Sequence, residues 1–214
     1  MTQVLFFGSS SVYGVGGELG SAADYLKCDL HAAMYGANGI GEHHAIFNLG
    51  ISGASTEDLL DRMPKELQHR SQKGKTIVFF SGGGNDTKFL SNPDDTSMDE
   101  QYRQNLQKIV NLLKKFRVDI VLYGMTPVDE TKTNPRIHAD GTKVYFFNRS
   151  RKRLEKIMEA VAEQNRIEVI PLIEETEKLG WLNYLYEDGL HPNTKGHKWI
   201  ADKIRPALWR RLDL

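Results

Sequence analysis

Val4-Leu5-Phe6-Phe7-Gly8-Ser9-Ser10-Ser11-Val12-Tyr13-Gly14 opens on four consecutive apolar residues and then breaks, at a glycine, into three serines. A strand with one wet face alternates apolar and polar side chains, but a strand covered on both faces has no need to. The run Val4 to Phe7 therefore reads as an inner strand of a parallel sheet flanked by helices. Ala45 to Phe47, Ile77 to Phe80, Ile120 to Tyr123 and Ile167 to Ile170 read as further strands. Helical spacing fills the segments between them. It places Leu106, Ile109, Val110, Leu113 and Phe116 on one face over 99–116, and Leu154, Ile157, Met158 and Val161 on one face over 148–164. Residues 194–211 do the same with Trp199, Ile200, Ile204 and Leu208. Ser97 with Glu100 and Ser55 with Asp58 carry N-capping spacing, and Pro64 is expected to kink or restart the helix that follows Ser55. The alternation predicts a three-layer α/β/α sandwich, flavodoxin-like, on a five-stranded parallel sheet. No linker or repeat interrupts it, so residues 1–214 read as a single domain.

Lys plus Arg (28) equal Asp plus Glu (28), so no global field recruits nucleic acid or anionic lipid. A small, neutral or modestly charged molecule is the expected partner. The only cysteine, Cys28, excludes an intramolecular disulfide. Cys28 reads as a packing residue in a helical stretch from Asp24 to Tyr35, and Trp181, Trp199 and Trp209 as core or helix-packing residues. The N-terminus has neither the basic region nor the long apolar run of a signal peptide, and no stretch is long enough for a membrane span. A cytoplasmic location is the resulting expectation; the oligomeric state is open.

In open parallel sheets, ligands bind beyond the carboxyl ends of the strands. Three of those ends run into Gly8-Ser9-Ser10-Ser11, Asn48-Leu49-Gly50-Ile51-Ser52-Gly53 and Ser81-Gly82-Gly83-Gly84-Asn85-Asp86; Asp188-Gly189-Leu190-His191-Pro192 precedes the last helix. Ester hydrolysis needs a hydroxyl nucleophile, a base, a carboxylate to orient the base, and donors for an oxyanion. Ser10 supplies the hydroxyl, His191 the base, and Asp188, three residues before it, the carboxylate. The backbone N–H groups of Ser10 and Gly53 and the Asn85 amide are the oxyanion donors. No cofactor is needed. Asp86 reads as structural.

These four blocks, in this order, resemble the SGNH hydrolase superfamily, also called the GDSL lipase/esterase family. The family's serine, glycine, asparagine and histidine fall on Ser10, Gly53, Asn85 and His191. The resemblance implies esterase, lipase, thioesterase or carbohydrate deacetylase activity without choosing among them. The expected function is a carboxylic ester hydrolase, an esterase or lipase, acting on short acyl or acetyl esters, with thioesterase or carbohydrate deacetylase as alternatives. The first block departs from Gly-Asp-Ser-Leu, reading Gly8-Ser9-Ser10-Ser11. Ser9 and Ser11 are therefore alternative nucleophiles, and a catalytically impaired binding module is the alternative function.

Other groupings read as plainer. Gly8 to Gly14 lacks the endings of nucleotide-binding loops. Glu42-His43-His44 alternates across a strand entry rather than forming a metal site. His31, His69, His138 and His197 are expected to be exposed. The polar stretches 86–97 and 126–143 are candidate loops over the site. Within the second, Asp129 and Glu130 are candidate contacts to a polar alcohol portion of the substrate, such as a sugar.

Overall fold

The structure, a computed structural model, describes residues 1–41, 43–71 and 74–214. Glu42, one of the three residues weighed as a metal cluster, lies outside the described residues. In chain order the elements are β1 (Thr2–Gly8), α1 (Ser10–Tyr13), α2 (Ala22–Tyr35), β2 (His44–Gly50), α3 (Thr56–Arg70), β3 (Thr76–Ser81), α4 (Asp99–Lys115) and β4 (Asp119–Tyr123). They continue with α5 (Glu130–Thr133), β5 (Arg136–Ile137), β6 (Lys143–Val144), α6 (Asn148–Asn165), β7 (Glu168–Ile170), α7 (Ile173–Lys178), a 3-10 turn (Trp181–Tyr184) and α8 (Thr194–Leu212).

Five parallel strands form one sheet in the order β2-β1-β3-β4-β7, with helices on both faces, as expected of the three-layer sandwich. The consecutive apolar residues of β1 serve both layers at once. Val4 and Phe6 pack with α2 and α8, while Leu5 and Phe7 pack with α3, α4 and α6. Phe6 also stacks on Phe79 of β3, ring centroids 4.9 Å apart. Both rings are wholly buried. Truncating either to Ala would cost about 3–5 kcal/mol in lost transfer energy and cavity formation.

Register sets the level of the site. Gly8 lies opposite Gly50 of β2 and Ser81 of β3, so three strands end side by side on one edge. A Cβ at Gly8 would run into Val12 and the Ser81 carbonyl, so glycine there lets α1 sit directly on the strand ends.

Several local expectations change. Ser55 and Asp58 do form a reciprocal capping box on α3, but α3 continues through Pro64 without ending. Ser97 does not cap α4: Met98 occupies the cap position and the Ser97 N–H is held by Asp95 at 2.9 Å. Asp99 and Glu100 in the first turn complement the helix dipole instead. Cys28 is exposed, because Leu26, Leu30 and Met34 define the buried face of α2 and Cys28 falls off it. His197 is fully buried, being on the α8 face that carries Ile200, Ala201 and Ile204. Its Nε2 lies 3.0 Å from the Val15 carbonyl oxygen, and burial lowers its pKa. Trp181 is buried, and Trp199 and Trp209 pack partly buried against the same core. Outside the main sheet, β5 and β6 form a two-stranded antiparallel hairpin over the strand-end edge. Val128, Val144, Phe146 and Leu190 make a small apolar cluster at its base. Among the described residues, no helix is long and apolar enough to cross a membrane.

Candidate active site

Ser10 is the first residue of α1, immediately after the β1 strand end, which lifts its hydroxyl to the edge of the sheet. Its Oγ lies 2.8 Å from His191 Nε2, and His191 Nδ1 lies 2.6 Å from Asp188 Oδ2. Three side chains from opposite ends of the sequence thus form one continuous hydrogen-bonded chain.

The Asp188–His191 segment folds itself around the carboxylate. Asp188 Oδ1 accepts the N–H of Leu190 at 2.9 Å and of His191 at 3.0 Å, leaving Oδ2 for the imidazole. Arg136, from the hairpin, also donates to Oδ2 at 3.0 Å. Burial opposes ionisation of Asp188. The hydrogen bonds from the His191 side chain, the two backbone N–H groups and Arg136 outweigh it and hold the carboxyl well below the usual carboxylate range. His191 is 7% exposed, so this negative charge faces the ring with little water between. After Pro192, Asn193 caps α8 through Gly196 N–H at 3.0 Å, tying the loop to a long helix.

The second and third blocks converge on the same edge. Gly53 has a φ of +81°, a backbone state that favours glycine, and a Cβ there would meet nothing within 4 Å: the position opens to the cleft. Asn85 donates one amide hydrogen to the Ala54 carbonyl at 3.0 Å, which orients the side chain next to Gly53. Beneath it, Asp86 accepts from the Thr56 hydroxyl and from its N–H at 3.2 Å, while Asn105 supports the Thr56 hydroxyl at 3.0 Å. Burial pushes the Asp86 carboxyl up to about 6, against those hydrogen bonds. Asp86 thus clamps the Asn85 block to the start of α3, the structural part expected of it.

Ser10, Gly53, Asn85 and His191 line one cleft of about 390 Å³. Phe89 and the hairpin residues Arg136, His138, Asp140 and Thr142 complete its walls. Both polar stretches therefore contribute to the cleft, but Asp129 and Glu130 are not among its lining residues. Asp129 caps α5 by accepting from Thr131 N–H at 3.1 Å, and Glu130 accepts from Asn148 N–H at 2.6 Å. Their carboxylates are engaged in holding the base of the loop. Arg136 and His138, a few residues on, occupy the position expected of them. Nothing in the sequence pairs Arg136 with Asp188, because the contact spans 52 positions and depends on the hairpin.

Beside Ser10 a narrow recess of about 20 Å³ is bounded by Gly84, Asn85, Phe146, Arg151 and Leu190. Ser9 and Ser11 also border it, but only the Ser10 hydroxyl is bonded to His191.

The sequence profile of the GDSL-like lipase/acylhydrolase family matches residues 6–199. No curated protein sequence matches the chain. Among solved structures, the chain is similar to a lipase/acylhydrolase from Enterococcus faecalis, with 23% identity, a TM-score of 0.71, and 99% of this chain and 97% of that one covered. It is similar also to the acetyl xylan esterase AlAXEase, with 22% identity, a TM-score of 0.72, and coverage of 96% and 98%. A third is the psychrotrophic esterase EstA from Pseudoalteromonas sp., with 16% identity, a TM-score of 0.67, and 99% of both chains covered. At these identities the likenesses speak for the three-layer fold, whereas the profile spans most of the sequence, all four blocks included. The chain belongs to the GDSL-like lipase/acylhydrolase family, whose members are carboxylic ester hydrolases.

Proposed function

We propose that the protein hydrolyses small carboxylic esters of short acyl groups, acetyl foremost, through an acyl-enzyme on Ser10. The observation that carries this reading is the Asp188–His191–Ser10 chain, with both of its contacts at hydrogen-bond distance. His191 Nε2 takes the Ser10 proton as Oγ attacks the ester carbonyl carbon. The tetrahedral oxyanion is held by the N–H groups of Ser10 and Gly53 and by the free amide hydrogen of Asn85. His191 then gives the proton to the departing alkoxide, which leaves as the alcohol. Water, deprotonated by the same imidazole, attacks the acyl carbonyl and releases the acid and Ser10. Asp188 keeps a proton on Nδ1, which leaves Nε2 free to accept.

Chain-length preference follows from the recess beside Ser10. At about 20 Å³ it has room for roughly one water-sized group. A methyl group fits such a space, whereas a long acyl chain must displace Phe146 or Leu190. The alcohol portion is left to the larger cleft beneath the hairpin, where Phe89 offers an aromatic face and Arg136, His138 and Asp140 offer polar edges.

A chromogenic acetyl ester tests the reading. Ser10→Ala should lower kcat by about 10⁶-fold, while Ser9→Ala and Ser11→Ala retain turnover. A fluorophosphonate should label the wild type at Ser10 only. Turnover surviving in Ser10→Ala, or labelling at Ser9 or Ser11, would overturn the assignment. Absence of labelling would favour a binding module with an impaired first block.

A further inference from the structure

Beside the nucleophile block lies a second, inner cavity of about 40 Å³ that Ser10 does not line. Its walls include Ser9, Ser11, Ser81, Tyr123, Thr126 and Arg151, and no acidic side chain. Arg151 is only 6% exposed. Of its five N–H donors, Nε is used, on the Thr126 carbonyl at 2.8 Å. Among the described residues the guanidinium has no other hydrogen bond and no ion pair. Glu155, one turn along α6, is occupied elsewhere. Its carboxylate accepts the N–H groups of Met125, Leu172 and Ile173.

Tyr123 is 5% exposed, and its hydroxyl likewise finds no protein partner among the described residues. Burial raises its pKa, so the phenol stays neutral and able to donate. Gly84 lets the guanidinium sit close to the Asn85 block, since a Cβ there would stand 3.1 Å from Arg151 Nη1, and both residues also border the recess beside Ser10. Glu155 acts on the guanidinium through space but makes no contact with it, so the remaining guanidinium N–H groups lack a charged acceptor, and the usual remedy for such buried donors is a paired anion. Two buried donors of different chemistry meeting in one small cavity suit an anion better than a cation or an apolar guest.

We propose that this cavity is an anion site, holding one monovalent anion of chloride size against the Arg151 guanidinium and the Tyr123 hydroxyl. The space is about twice that of the recess beside Ser10 and admits about two water-sized spheres, enough for a single halide. One guanidinium balances one charge, so a divalent anion would leave negative charge buried. Because the cavity touches Ser9, Ser11 and Gly84, the bound ion would brace the first and third blocks against each other.

Thermal unfolding in sodium chloride, gluconate and sulfate at equal ionic strength tests the proposal. Chloride at a hundredfold above its Kd should raise Tm by roughly 5–10 °C in a saturable manner; gluconate should not, and sulfate should give only its general, non-saturating rise. A crystal soaked in sodium bromide should show anomalous scattering beside Arg151. Arg151→Met should lose the chloride response. Ser9→Asp sets a tethered carboxylate on the same cavity and should also lose it, which keeps the test decisive if Arg151→Met fails to fold. The site is refuted by a saturable Tm response of the same size in sulfate, as distinct from its general linear salting-out rise, by no difference between chloride and gluconate, by an unchanged response in Ser9→Asp, or by bromide found only elsewhere.

Discussion

At the floor of the cleft, Ser10, Gly53 and Asn85 hang from the ends of adjacent strands. Over it, Arg136, His138 and Thr142 hang from a hairpin of two two-residue strands. The floor is fastened by buried contacts: Asp86 to Thr56, Asn105 to Thr56, and the Tyr102 hydroxyl to the Gly82 carbonyl at 3.0 Å. The hairpin has Ile137 62% exposed, and it is moored by the Val144–Phe146 cluster and an ion pair from Arg136 to Asp188. Chemistry and specificity are thereby given different mechanical supports. Under the proposed mechanism, groups that must hold sub-ångström geometry in the transition state sit on the sheet, and groups that would meet the variable part of a substrate sit on a thin flap. Floor changes should therefore act on kcat and flap changes on KM and selectivity.

The sharpest way to break this division is at Asp188, where floor and flap meet. Asp188→Asn removes the charge behind the imidazole and turns its amide toward the wrong tautomer. It should cost about 10⁴-fold in kcat, the size such a change has in a serine protease triad. KM should hardly move. A loss confined to KM, measured on an acetyl ester, would place Asp188 with the flap. Asn85→Ala comes next: about 10²–10³-fold in kcat, again with little change in KM, since the amide is used mainly once the oxyanion forms. If kcat survives and KM rises, Asn85 binds substrate and Gly53 must carry more of the oxyanion.

How far this division can be read from sequence depends on the range of the contacts. The strands declare themselves through consecutive apolar residues, because each must feed two helical layers. The Ser55–Asp58 box is visible because capping is local, while Ser97–Glu100 has the same spacing but lies one residue before the real cap. Ser10, Asp188 and His191 are legible as candidates because each stands in a short block at an element boundary, and the structure brings the three into hydrogen-bond contact. Cys28 and His197 are misread for want of the exact helical phase that decides which side faces the core. Arg151 shares the apolar stripe of α6 with Leu154 and Met158, and that periodicity is the one local sign of its burial. Arg136 has no local sign at all. Asp129 and Glu130 carry the right chemistry at the right sheet edge, yet cap and brace the loop instead of lining the cleft.

Asp86 sharpens the comparison from the stability side. Its carboxyl rises from 3.8 to about 6 in the folded state, which corresponds to about 3 kcal/mol. Between those values the native carboxyl is protonated and the unfolded one ionised, so the unfolded chain holds fewer protons and stability falls as pH rises. The contribution is whole below about pH 4 and lost above about pH 6. Asp86→Asn should remove that slope. Denaturant unfolding of both proteins from pH 4 to 7 should give curves that diverge; parallel curves would mean that Asp86 stays ionised in the native state.

The smallest expected effect is at Arg136. Its side chain is 33% exposed, and partly exposed ion pairs contribute at most about 1 kcal/mol, or roughly fivefold in a rate. Arg136→Met keeps the aliphatic stem and removes the charge. If the guanidinium only moors the flap, kcat should fall by no more than about fivefold, while the ranking of esters that differ in the alcohol portion changes. Stability gives an independent reading. Asp188 is depressed in the native state, so its contribution is present at neutral pH and is lost as pH falls below the ordinary carboxylate value of about 3.9. Arg136 supplies part of that depression. The variant should therefore be less stable than the wild type at neutral pH, and the gap should narrow in acid as Asp188 takes up its proton. A gap of the same size in an Asp188→Asn background would assign the loss to the apolar seating of the hairpin. A kcat loss approaching that of Asp188→Asn would move Arg136 from the flap to the floor.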